Sequence, residues 1–189
     1  MMTRLYYTEP WLSRFDGRVV AAADDGSGRQ RVWLDRSAFY PTSGGQPFDT
    51  GVVNGLPVAD VFEENDQVVH VVEGHLAVGD TVAGEIDWQR RLDHMQQHTG
   101  QHVLSAAFER AHQVRTESFH MGIESSTIDL AREVTTGEIQ AAEDAANACV
   151  WAGRPVSIRF VSEVEARRLP LRKDPTRSGP LRLIEIDGY

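Results

Sequence analysis

The apolar periodicity of this chain changes once, just after Asp87-Trp88, and that change restricts the fold to two unlike parts. Before it, β-branched or aromatic runs at 18–22, 31–34 and 68–72 alternate with turn signals at Asp25-Gly26, Asn54-Gly55, Asn65-Asp66 and Gly79-Asp80. Short strands at this spacing predict a small antiparallel, barrel-like domain over residues 1–87. After it, Leu92, Met95, Thr99, Val103, Ala106 and Ala107 recur at three- and four-residue steps to about Gln113. That is the core-facing stripe of a long helix, and it assigns Arg90, Arg91, Glu109 and Arg110 to the opposite, charged face.

The remainder mixes both periods. Residues 116–121 and 126–130 read as two strands joined through Gly122, and Thr135-Thr136-Gly137-Glu138 reads as a helix start of the capping-box kind. The helix it opens runs through Ile139, Ala142, Ala146, Cys149 and Val150 and ends near Gly153, with Cys149 as a small buried residue. Residues 155–160 and 181–186 alternate as half-buried strands, and 163–168 form a short helix. The predicted fold class is therefore α+β: the barrel-like domain, then an α+β domain over 88–189 with an antiparallel sheet and two longer helices.

His98 and His102 stand four residues apart on the first long helix. At that spacing the two imidazoles leave one face about 6 Å apart at their origins, close enough to share a zinc ion. Two ligands do not complete a zinc site, so a helix-edge histidine pair is the other reading. A zinc-protease motif is excluded, because Thr99 occupies the place of the glutamate general base.

In the first domain, Tyr40-Pro41-Thr42-Ser43-Gly44-Gly45-Gln46-Pro47 sets two glycines between two prolines. Such a segment needs positive φ or close approach, either as a hairpin-like turn or beside a ligand. A phosphate-binding P-loop is ruled out, since no Gly-Lys-Ser/Thr follows.

Charge and cysteine content narrow the setting. No apolar run approaches the roughly 20 residues of a membrane span. The single cysteine, Cys149, rules out an intrachain disulfide and points to a reducing, cytoplasmic compartment. Net charge is −9, yet from Arg154 to Arg182 eight basic residues face three acidic ones, which gives +5 there and −14 elsewhere. This segment, with Arg167, Arg168 and Arg172 at its centre, suits contact with a phosphate backbone or else forms a solvated arginine-rich face.

Two of these motifs together resemble one family. His98-Thr99-Gly100-Gln101-His102, set behind Arg91 and Met95, is similar to the first metal motif of the alanyl-tRNA editing proteins of the AlaX type and of the editing domain of alanyl-tRNA synthetase. The Gly-rich segment, with Asp49 and Gly51, resembles that of the longer AlaX proteins. Segments 119–130 and 171–188 are also similar in order and spacing. The resemblance implies a zinc-dependent aminoacyl-tRNA deacylase that hydrolyses Ser or Gly wrongly esterified to alanine tRNA. It implies His98 and His102 as zinc ligands, and Gly44, Gly45, Gln46 and Gln101 at the amino-acid pocket. The two motifs are then expected close together, with Arg167, Arg168 and Arg172 on the tRNA.

The family carries a second motif, Cys-x-x-x-His, soon after the strand that resembles 181–186, whereas the sequence given stops at Tyr189. The expectation is an enzyme impaired in the chain as given, with two ligands present and two missing. The alternative is a non-catalytic tRNA-binding or interaction module with a vestigial metal site.

Overall fold

The computed structural model describes residues 2–122, 124–169, 171 and 181–188. The chain divides into two compact units, Met1–His102 with Val114–Glu133, and Val103–Gln113 with Val134–Tyr189. The fold is α+β, as the periodicities predict.

The first unit is built on a closed ring of strands. After β1 (Thr3–Arg4) and the single turn α1 (Leu5–Thr8) come β2 (Arg14–Asp24), β3 (Gln30–Leu34), β4 (Arg36–Ser37), β5 (Gly51–Val53), β6 (Leu56–Glu64), β7 (Gln67–Val72) and β8 (Thr81–Ile86). The pairing order is β2-β3-β7-β6-β5-β8 and back to β2, every neighbour antiparallel. Phe15, Gly17 and Val19 of β2 and Val82, Gly84 and Ile86 of β8 alternate inward with exposed residues between them. Val32, Leu34, Phe39, Val53, Val61, Val68 and Val72 complete the filling, each worth about 1.5–3 kcal/mol when fully buried. Asn54-Gly55 and Asn65-Asp66 close two-residue hairpins, and all four residues hold positive φ, between 48° and 78°. That is the turn whose twist matches the strands on either side.

One polar network lies inside this core. Phe39 N–H donates to Ser37 Oγ at 3.1 Å, the Ser37 hydroxyl meets His70 Nε2 at 2.7 Å, and His70 Nδ1 meets the Val32 carbonyl at 3.2 Å. The carbonyl can only accept, so Nδ1 carries the proton and Ser37 donates to Nε2. Burial pushes the His70 pKa down from 6.5 to about 4, partly opposed by the bond to Val32. The unfolded chain thus binds a proton near pH 6.5 that the folded chain refuses until about pH 4. The stability carried by the neutral ring is complete above pH 6.5 and is lost as pH falls between these values, about 3 kcal/mol in all. Urea unfolding at pH 7.5, 5.5 and 4 is expected to show this loss, and His70→Gln to flatten it. An equal slope in both proteins would contradict the assignment.

Helix α2 (Trp88–His112) follows the ring. It starts where Asp87 Oδ1 accepts from Arg90 N–H at 3.2 Å, a side-chain N-cap, and stops at Gln113, whose φ of 55° lies in the left-handed region. The hairpin β9 (Thr116–Met121) and β10 (Ser126–Leu130) belongs with the barrel unit.

In the second unit, Thr135 caps α3 (Thr136–Trp151) with the expected box. Thr135 N–H donates to Glu138 Oε2 at 2.8 Å, and Glu138 N–H to Thr135 Oγ1 at 3.3 Å. Ala142 and Cys149 form its buried face. β11 (Val156–Val161) pairs antiparallel with β12 (Leu181–Ile186), and α4 (Glu163–Ala166) lies between them in sequence. Among the described residues no helix is long and apolar enough to cross a membrane.

Candidate functional site

The Gly-rich segment is a ten-residue loop closed at its base and turned at its tip. At the base, Tyr40 N–H donates to Asp49 Oδ2 at 2.6 Å and Asp49 N–H donates to the Tyr40 carbonyl at 3.0 Å. At the tip, Ser43 and Gln46 exchange both backbone bonds around Gly44 and Gly45, with φ of 60° and 82°. Two successive positive φ values explain the two glycines. Gly45 has a second reason, since a Cβ there would lie 2.2 Å from the Phe119 carbonyl oxygen of β9. Gly45 O in turn accepts from Met121 N–H at 2.9 Å. The close approach that fixes Gly45 is therefore to the protein's own β9, while Gly44 faces open space.

This tip meets the histidine turn of α2. Gln46, 5 % exposed, accepts from His98: Gln46 Oε1 and His98 Nδ1 are 2.7 Å apart. With the amide oxygen as acceptor, the proton sits on Nδ1 and the His98 lone pair is on Nε2, the arrangement that orients a metal-ligating imidazole. The His98 and His102 rings stack at 5.0 Å between centroids, 21° from parallel, and His98 lies 6.4 Å from the Phe119 ring. Gln101 is half-buried on the same helix turn. The structure thus brings Gly45, Gln46, His98 and His102 to one place.

Two imidazoles, one of them fixed in its tautomer, fit half of a tetrahedral zinc set. Among the described residues no third His, Cys, Asp or Glu joins them. Asp129 of β10 accepts instead from the Ser118 hydroxyl across the hairpin.

Arg91 requires a correction. The periodicity assigns it to the charged outer face, yet it is 3 % exposed and Asp49 is 0 %. Its guanidinium grips both Asp49 oxygens through Nε at 3.1 and 3.0 Å, closes a further short bond from Nη2 to Oδ2, and donates from Nη1 to the Pro10 carbonyl at 2.9 Å and from Nη2 to the Ala38 carbonyl. The signal is present in the spacing, because 91, 94, 98 and 102 form one three-and-four stripe. His94, between Arg91 and His98, is buried, and its Nδ1 has no hydrogen-bond partner among the described residues. Burial, and then the Arg90 charge, hold its pKa below the usual histidine value.

The basic segment lies apart from this constellation in sequence. Arg167 and Arg168 follow α4, both exposed, and Arg167 pairs with Glu163 at 2.6 Å. Arg172 lies outside the described residues.

Residues 10–90 match the family described as tRNA synthetases class II (A). Over 94 % of its length the chain is 34 % identical to the alanyl-tRNA editing protein Aarsd1 of Danio rerio, and over 98 % it is 33 % identical to the alanyl-tRNA editing protein AlaX-L of Pyrococcus horikoshii. These alignments take in 47 % and 48 % of those two proteins, so the chain spans about half their length. It is also 32 % identical, over 98 % of its length and 21 % of the other chain, to the alanine–tRNA ligase of Ignicoccus hospitalis.

Proposed function

From its similarity over nearly its whole length to alanyl-tRNA editing proteins, we propose that the chain belongs with them and hydrolyses the ester of Ser or Gly wrongly attached to alanine tRNA. One observation carries the reading: the Gly-rich loop reaches across to the histidine turn and fixes the tautomer of His98 through Gln46. The reaction class answers a real chemical need. A pocket shaped for alanine rejects glycine and serine weakly, so fidelity requires a second, hydrolytic site.

In this proposal His98 Nε2 and His102 are two of the ligands of a zinc ion, which when bound supplies Lewis-acid polarisation of the ester. Gln46 holds the His98 Nδ1 proton, so the ring presents one nitrogen in one orientation. Neither imidazole serves as general base, because each lone pair is committed to coordination. Gln101, one residue before His102, hydrogen-bonds the aminoacyl group in this proposal. Arg167, Arg168 and Arg172 contact the tRNA backbone.

The test compares deacylation of Ser-, Gly- and Ala-esterified alanine tRNA across a salt series, for the wild type and for the triple Ala variant of these arginines. Ser and Gly esters are expected to be cleaved faster than Ala. The triple variant should show a higher KM and a salt slope shallower by roughly 0.7–0.9 for each phosphate no longer neutralised. Retention of tRNA with all three esters uncleaved would favour a tRNA-binding module. An unchanged slope would make the arginines a solvated face.

A further inference from the structure

The buried Asp49–Arg91 pair raises a question that its packing alone does not answer. Removing two charges from water is expensive, and well-packed apolar residues of the same volume often serve stability as well or better. The best-attested compensating role of buried polar groups is to fix register. Here the pair sits at one end of an element whose other end touches the histidine turn.

The loop is attached to α2 at two points. Asp49, at its base, is held by Arg91, and Gln46, at its tip, holds His98. The helix anchors are seven residues apart, about 10 Å of rise. The three-residue step from Gln46 to Asp49 spans at most about 10 Å and contains Pro47, whose φ is fixed. Little slack is left for the tip to slide by a helix turn while the base stays clamped. The clamp has direction as well as strength, because the guanidinium fork also takes the Pro10 and Ala38 carbonyls while Asp49 Oδ2 takes Tyr40 N–H. A point charge at position 91 could not satisfy all of these at one orientation.

We propose that Asp49 and Arg91 are positioning residues: they set the register at which the Gly-rich loop lies along α2, and so place Gln46 on His98 Nδ1 and Gly45 against β9. The purpose of that placement rests on the editing reading, but the placement itself does not.

The experiment uses the full chain, labelled for NMR, with two reporters. Amide exchange at Met121 reads the docking of Gly45, and the imidazole nitrogen shifts of His98 read its tautomer. Exchange at Val71, in the β3–β7 ladder, reads the integrity of the barrel. The D49N/R91M variant removes both charges and leaves no ion unpaired. It is expected to keep Val71 protection, to lose Met121 protection by roughly fivefold or more, the weight of one hydrogen bond, and to turn His98 into a mixture of tautomers. R91K keeps the charge without the fork and should move both reporters the same way by less, which decides the matter if the double variant fails to fold. Q46A should lose the His98 tautomer while the Tyr40 and Asp49 amides stay protected. Wild-type Met121 exchange and a wild-type His98 tautomer in R91K and D49N/R91M would overturn the proposal. Neither reporter requires tRNA or metal, so positioning can fail while editing stands, and the reverse.

Discussion

Alanine at His98 or at His102 is expected to remove deacylation of Ser-esterified alanine tRNA almost completely, and alanine at Gln46 to reduce it less. The order follows from what each side chain does in the proposed site. Gln46 acts through His98, and loss of such an outer partner costs roughly 10–100-fold in affinity or activity. Loss of either imidazole removes the donor atom itself, so its effect should exceed that range. The fold should be indifferent, because His98 is only half-buried and His102 is exposed on the surface of α2. Measuring kcat/KM, zinc content and thermal midpoint on the same preparations separates the effects. Activity within threefold of wild type in both histidine variants would show that the reaction centre lies elsewhere. Equal losses in Q46A and H98A would mean that Gln46 touches the substrate itself.

The largest stability effect is expected at Arg91. Arg91→Ala leaves Asp49 as a carboxylate with no exposure and no counter-ion, and it orphans the Pro10 and Ala38 carbonyls. Breaking a buried pair from one side costs roughly 3–5 kcal/mol, a large share of the roughly 5–15 kcal/mol by which domains are stable. Equilibrium urea unfolding of the full chain measures it, and Asp49→Asn on the Arg91→Ala background should recover part of the loss. A cost below about 1 kcal/mol for Arg91→Ala would mean that water reaches Asp49 and that the pair is not a buried clamp.

Local chemistry is legible in the sequence; nonlocal closure is not. Asn54-Gly55 and Asn65-Asp66 announce hairpins because their turns need positive φ, and Thr135 with Glu138 announces a helix start because the box is local. The ring order cannot be read, since the insertion of β7 between β3 and β6 depends on pairings between distant segments. Residues 181–186 are recognisable as a strand, but that they pair with 156–161 is again a nonlocal fact. His70 reads only as one member of an apolar run; nothing in its neighbours points to Ser37, 33 residues away. Arg91 is misplaced by periodicity because its charge outweighs its position on the histidine stripe. The nearness of the Gly-rich loop to His98 comes from family resemblance, not from periodicity, and the structure supplies the atom pair that joins them.

The closed ring also governs how this chain can associate. An open sheet ends in strands whose unpaired N–H and C=O groups invite another strand to add. In the barrel each of the six strands has a neighbour on both sides, so none is an edge strand along its whole length, although β2 meets β8 only over 14–18 and β6 meets β5 only over 56–57. In each of the two-stranded ladders β1–β4, β9–β10 and β11–β12 the two strands pair only with one another among the described residues, and Gly45 already takes part of the outer flank of β9 through Met121 N–H. Backbone recruitment of another chain is therefore expected at these short ladders ahead of the ring, whose strands are flanked on both sides for at least part of their length.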